Sequence, residues 1–516
     1  MFYIIQTLLL WVSKLTKGPD QVQFVFCMFL CFPLGAVYRT VLHPRSVSPR
    51  VRLAVSLAWG FMIGWICIGS EMIGLIVLST LYYGLTWSVN PKEVHKVVFA
   101  VSFFCLSAAH IARMFMNYGE NKFDYHGRLM IITQKVTYVA FCLHDGSGRK
   151  KDELTKEQTE QSIVRVPSLL EYFGYMFHHS MLLAGPVCTF NDYMDFIEGR
   201  DIARATDQKT KKEPNPTNAV LTKLASSLLC GVLFSIASKI FPFHLNADPF
   251  FIANSSFLLR IVFAYISMFV IRLKFYFAWI IGNDMNKVEA PRTRVINACG
   301  LGFNGYDSNG RELWNRITNV NALEVEKATS FRQIVINWNI QSELWLRRTI
   351  YARVPYQKLL CTLTVSTIWH GFYPAYLLTV STAGILMLVT RKVRRTYGHL
   401  FCSDSPVKNS LFVFLEWFVC QVVLTTYCFT PFVFLRVDLS LTFYRSTYFI
   451  GHLILIGGII ICLGGRSKPS HDAKGTDSAV TSQDSRESAK VDKHKDVSLP
   501  GLANNNALHR FNRKLQ

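Results

Sequence analysis

The chain has 516 residues, half of them hydrophobic and 14% aromatic, with a formal net charge of +21 and a mean hydropathy of +0.23. Between Leu53 and Trp87 the only formally charged residue is Glu71, whereas helices of a soluble fold carry charge every three or four residues. A soluble domain is thereby excluded, and no interleaving of basic and aromatic residues outside the apolar blocks points to nucleic acid as a partner.

Candidate spans of about 20 mostly apolar residues follow one another along the chain. After a short apolar segment, Met1 to Trp11, read as a retained first helix at the interface, they fall at about 22–41, 53–69, 71–88, 95–115, 129–143, 168–187, 221–242, 255–281, 331–352, 359–388, 409–432 and 446–464. Some of these re-enter instead of crossing. The expected fold is an all-α polytopic membrane protein with about eleven transmembrane helices.

The connections are of three kinds. Residues 146–161 and 201–216 are charged, with glycine or proline, and read as loops outside the membrane. Residues 283–329 form a longer, less polar insert carrying Gly300, Gly302, Gly305 and Trp314. From Arg466 onward serine, lysine, aspartate and glycine dominate, too little apolar area to offset chain entropy. The expected division is therefore a membrane-embedded core over 1–465 and a disordered polar tail over 466–516.

Basic residues collect between the apolar blocks, as in Arg149-Lys150-Lys151 and the 391–395 cluster. Such flanks favour the cytoplasmic side and attract phosphates. The 13 cysteines contain no CxxC pair or Cys/His metal spacing, so neither a disulfide framework nor a metal is expected. Asn254-Ser255-Ser256 fits a glycosylation acceptor.

Ionisable and amide groups at span depth need a partner or a function, and they concentrate between Ile334 and Leu378. The first half reads as a helix ending in Arg347, Arg348 and Arg353, and Pro355 then turns it into a second apolar helix. Asn339 lies 16 residues before that proline and His370 lies 15 after it. In continuous helices each stands about 22–24 Å from the turn, so the two share a depth on antiparallel neighbours. Pro374, four residues beyond His370, removes an N–H from the helix, and Gly371 removes bulk beside it.

Imidazole, with an ordinary pKa of about 6.5, can take a proton from an alcohol at neutral pH. The Asn339 carboxamide can orient a substrate or stabilise developing oxyanion charge. On residues alone a packing histidine at a kink remains the alternative for His370. His110, His178 and His179 are weaker candidates, read as structural. Trp369 and Tyr373 flank His370, and Arg347 and Arg348 are cations available to polyphosphate.

Trp338-Asn339-Ile340-Gln341, Trp345-Leu346 and the run from Ser366 to Tyr376, with Trp369-His370-Gly371 at its centre, resemble the membrane-bound O-acyltransferase family in its lysophospholipid branch. The stretch from Gly185 to Gly199 and Gly302-Phe303-Asn304-Gly305 carry the same likeness; Ala375 stands where relatives have glycine. The resemblance implies helices around an internal catalytic chamber, an endoplasmic reticulum membrane location, and transfer of a fatty acyl group from acyl-CoA to a lysophospholipid, with lysophosphatidylethanolamine and lysophosphatidylserine foremost.

It also implies His370 and Asn339 as catalytic residues. Arg347, Arg348, Trp369 and Tyr373 are the residues expected at acyl-CoA, the co-substrate; no tightly bound cofactor, metal or obligatory protein partner is expected. A protein or peptide acyltransferase and a transporter are the alternatives.

Overall fold

A computed structural model describes residues 19–119, 124–185, 187–205, 217–280, 317–397 and 406–464. The first expected helix, the Gly302–Gly305 motif and the polar tail lie outside the described residues. The described chain is all-α; its one β pairing is an isolated antiparallel bridge between Val320 and Trp338.

The helices that position the site are α1 (Pro19–Thr40), α2 (Pro49–Ile68), α3 (Glu71–Ser88), α4 (Val94–Met116), α5 (His126–Leu143), α6 (Leu169–Met176) and α7 (Phe190–Glu198). They are followed by α8 (Thr217–Ile240), α9 (Phe257–Ile280), α10 (Ala322–Glu326), α11 (Phe331–Asn337), α12 (Ile340–Leu346), α13 (Lys358–His370) and α14 (Pro374–Tyr397). A run from Pro406 to Phe434 and the pair Val437–Ser446 and Ile450–Gly464 close the series.

Seven described helices are long and apolar enough to cross a bilayer, and up to eight if Val437–Ser446 and Ile450–Ile461, bent by 74° at their junction, count as one span. Their outer faces carry exposed Trp65, Phe104, Leu233 and Leu258, the surface expected of helices solvated by lipid. The largest core packs α2 to α6 around Leu75, Leu106, Val136, Tyr172 and Trp345, all fully buried.

α5 runs through this core and is buried on nearly every side. A helix so enclosed must satisfy its own polar groups. Thr133 and Thr137 return their hydroxyls to carbonyls one turn back, and the Lys135 ammonium donates to the carbonyls of Tyr175 and Met176, 2.9 and 3.1 Å away. Those are the last carbonyls of α6, which have no partner inside their own helix, so one buried cation closes that helix end.

Three expected spans take another form. Residues 168–187 do not cross as one helix: a capping box between Ser168 and Glu171 starts α6, which ends after two turns at Phe177. The chain then turns through His178 and His179, both wholly buried, and Gly185 at φ +77°. Residues 331–352 are interrupted at Trp338-Asn339, and 359–388 divides into α13 and α14.

Candidate active site

The break in the first half of the expected hairpin has a cause outside it. Residues 318–321 run extended beside Asn337–Gln341: the Asn321 N–H donates to the Asn337 carbonyl at 2.9 Å and Val320 bridges Trp338. The indole of Trp338 sits in a box of Phe275, Tyr276 and Trp279 from α9, ring centroids 5.0–5.9 Å away. Asn339 then takes φ 53°, ψ 50°, the left-handed region that asparagine tolerates better than most residues. Its carbonyl starts α12 by accepting from Ser342 and Glu343.

The second half behaves as its proline and glycine predict. α13 stops at His370, Gly371 takes φ +121° and ψ −177°, and the chain resumes as a helix at Pro374. His370 is half-buried, its ring 4.6 Å from Trp369, 5.3 Å from Phe432 and 6.1 Å from Tyr376. Behind it the His110 Nε2 lies 3.1 Å from the Trp369 carbonyl; a carbonyl can only accept, so this nitrogen carries the proton.

A Cβ on Gly371 would lie 3.2 Å from His110 Nδ1, and its backbone region is one that only glycine occupies without strain of about 1–3 kcal/mol. Gly371→Ala therefore lowers the thermal stability of the purified protein and shifts His370, reducing whatever chemistry that ring performs by at least tenfold. Wild-type turnover in this variant would contradict the geometry.

α5 serves as a ruler for the two halves. Trp369 Nε1 donates to the Met130 carbonyl at 3.1 Å, Gln134 Nε2 to Ser342 Oγ at 2.8 Å, and Trp345 Nε1 to Thr137 Oγ1 at 2.9 Å. Met130 and Gln134 are four residues apart, about 6 Å of helical rise, and Asn339 precedes Ser342 by three residues, about 4.5 Å back along α12. Asn339 and the Trp369-His370 step thus lie beside the same stretch of α5, between Met130 and Thr137. The Trp345 and Trp369 rings pack between the two halves, 5.8 Å apart.

The continuous helix from which sequence spacing inferred a common depth for Asn339 and His370 is absent. The spacing counted rise from Pro355, whereas the chain contains a π-helical turn over Arg347–Tyr351 and a break at Asn339.

At the other end of α12 the cations meet the loop that follows α5. Arg348 Nε lies 2.7 Å and Arg347 Nη2 3.4 Å from Glu157 Oε1, and Arg353 clasps Asp145 with two bonds of 2.8 and 2.6 Å. Burial opposes ionisation of Glu157, but the Arg348 charge and hydrogen bond, with Arg347, outweigh it and hold the carboxyl below its ordinary range. That support for the loop is complete above the ordinary glutamate pKa, about 4.3, and is lost as pH falls through the lowered value.

Trp369 is buried with its N–H on Met130. Tyr373, also buried, donates its hydroxyl to the Asn117 carbonyl at 3.2 Å and packs on Tyr118 and Tyr376. His178 and His179 sit apart, stacked on each other and against Tyr38. Among the described residues no group of His, Cys, Asp and Glu could hold a metal.

Sequence reasoning missed Arg272. It is buried in α9 and gives a two-pronged ion pair to Glu326, both bonds 2.7 Å, while the Tyr276 hydroxyl donates to the same carboxylate. The available signal was a charge, with Lys274 close behind, inside an otherwise apolar span.

The sequence matches the membrane-bound O-acyltransferase family over residues 53–432. It is 36% identical over 463 residues to membrane-bound glycerophospholipid O-acyltransferase 2 of Gallus gallus, covering 87% of this chain and 86% of the relative. It is 36% identical over 455 residues to membrane-bound glycerophospholipid O-acyltransferase 1 of Mus musculus, covering 86% and 90%. With lysophospholipid acyltransferase 1 of Arabidopsis thaliana the identity is 29% over 459 residues, covering 87% and 95%.

Proposed function

The chain belongs to the membrane-bound O-acyltransferase family, and on that premise we propose that it transfers a fatty acyl group from acyl-CoA to the free hydroxyl of a lysophospholipid, giving phospholipid and CoA. Lysophosphatidylethanolamine and lysophosphatidylserine are the main acceptors, with lysophosphatidylcholine and lysophosphatidic acid as further ones. The site lies in an internal chamber among about eleven spans in the endoplasmic reticulum membrane, carried by a core over 1–465.

In this mechanism the His370 imidazole takes the hydroxyl proton as the oxygen attacks the thioester carbonyl, then returns it to the departing CoA thiolate. The Asn339 carboxamide donates to the incoming hydroxyl or to the carbonyl oxygen as charge builds there. Both acyl chains stay in an apolar medium, where each buried CH₂ contributes about 0.8 kcal/mol. Arg347 and Arg348 exchange Glu157 for CoA phosphates, and Trp369 and Tyr373 form the wall that holds His370 against the thioester.

The observation that supports this reading most is that two interrupted helices, one ending in an imidazole and the other starting with an amide, both dock on the same stretch of α5. Labelled acyl-CoA supplied to the purified protein with several lysophospholipids and total membrane extract tests it. Label enters phospholipid, one CoA is released per acyl chain, and no protein band is labelled. Label in protein favours peptide acylation, and absence of CoA release with every acceptor favours a transporter.

A further inference from the structure

Asparagine at a helix start ordinarily spends its side chain on the orphan N–H groups of the first turn. Asn339 stands at the start of α12 and makes no such bond. The duty is taken by a residue twenty positions earlier. The Asn319 carbonyl accepts from the Ile340 N–H at 2.7 Å, and Asn319 Oδ1 accepts from the Gln341 N–H at 3.3 Å.

We propose that Asn319 is a positioning residue that caps α12 in place of Asn339, fixing its left-handed backbone and leaving its carboxamide free for substrate. The first N–H groups of α12 must be satisfied in a buried setting, and Asn319 Oδ1 and the carboxamide of Asn339, the residue at the helix start, are two acceptors that can serve the Gln341 N–H.

Asn319 is 5% exposed, so its Oδ1 is held in place by packing. Its neighbours hold the same seam: Gln341 Nε2 donates to the Thr318 carbonyl at 2.9 Å and Asn321 Nδ2 to Asn337 Oδ1 at 2.8 Å. With Oδ1 removed, the nearest replacement acceptor for the Gln341 N–H is the carboxamide of Asn339, which then turns back onto its own helix and away from the reacting atoms.

This inference rests on the acyltransferase reading, and the test separates the two. Asn319→Ala, Asn319→Asp, Asn339→Ala, the double variant Asn319→Ala/Asn339→Ala and His370→Ala are purified, checked for melting temperature, and assayed for kcat and KM. Asn319→Ala lowers kcat about 10- to 100-fold, the scale of a small misplacement at a reacting centre, with KM for acyl-CoA within about twofold of wild type. Asn319→Asp keeps the acceptor and recovers most of kcat.

The double variant is no slower than Asn339→Ala alone, because both routes remove the same carboxamide. Wild-type kcat in Asn319→Ala, or a loss that multiplies in full with that of Asn339→Ala, overturns the positioning role. Should Asn319→Ala fail to fold, Asn319→Ser, whose hydroxyl stops one atom short, gives intermediate kcat, and wild-type kcat there overturns the role equally. If Asn339→Ala and His370→Ala turn over normally, the acyltransferase chemistry falls, and this inference falls with it.

Discussion

His370→Ala lowers acyl transfer by about 10²–10⁴-fold, the contribution of a positioned general base, and leaves the melting temperature within a few degrees of wild type. The two effects separate because of how the ring is held. His370 is half-buried at the end of α13, packed edge to face with Phe432 and at a tilt to Tyr376, and the break after it is maintained by Gly371, Pro374 and the bond from His110 to the Trp369 carbonyl. Removing the imidazole deletes the base and little of the scaffold. KM for acyl-CoA stays near wild type, since Arg347 and Arg348, the cations proposed for CoA, lie at the other end of α12. Near-normal turnover in a folded His370→Ala protein would remove the mechanism.

The largest loss of stability is expected at Glu326. Glu326→Ala leaves the Arg272 guanidinium, 7% exposed, without its counter-charge, and breaking one side of a buried ion pair costs about 3–5 kcal/mol. The carboxylate is also the side-chain tie between α10 and α9, through Arg272 and Tyr276; the main-chain carbonyls of Glu326, Val325 and Ala328 keep their bonds from Trp417 and Gln421. Residues 318–321, which interrupt the helix at Asn339, lead directly into α10.

Glu326→Ala thus shortens the half-life of the purified protein at 37 °C and lowers kcat of the surviving fraction. Glu326→Gln keeps an acceptor for the Tyr276 hydroxyl and sits between the two. A melting temperature for Glu326→Ala equal to wild type would show that the buried guanidinium finds other support.

What could be read from the sequence was local. Gly371 and Pro374 announce the end of α13 because one tolerates a backbone that side chains avoid and the other lacks an N–H, properties that belong to the residues themselves. Ser168 and Glu171, three apart, announce the start of α6 in the same way. The apolar run to residue 187 nevertheless suggested a full span, since hydropathy does not distinguish a membrane helix from turns buried within a protein core.

The break at Asn339 was illegible because nothing within Phe331–Leu346 causes it. It arises from pairing with residues 318–321, and an apolar period seen in isolation continues through it. Arg272 was visible as a charge, but its partner lies 54 positions away. Arg347 and Arg348 were visible as a basic turn, whereas Glu157 belongs to a short helix, Lys156–Gln161, in a stretch that composition marks only as polar. Contacts across such distances are set by how helices stack, which one sequence does not display.

Acyl transfer by this route requires His370 and Asn339 to address the same reacting carbon. A density map of the protein in a lipid nanodisc, bound to an unreactive thioether analogue of acyl-CoA, tests this most directly. The His370 imidazole and the Asn339 carboxamide should both lie within about 4 Å of the carbon beside sulfur or of the acceptor position next to it, close to attack distance. Either side chain pointing outward into lipid, with the analogue bound elsewhere, would contradict it.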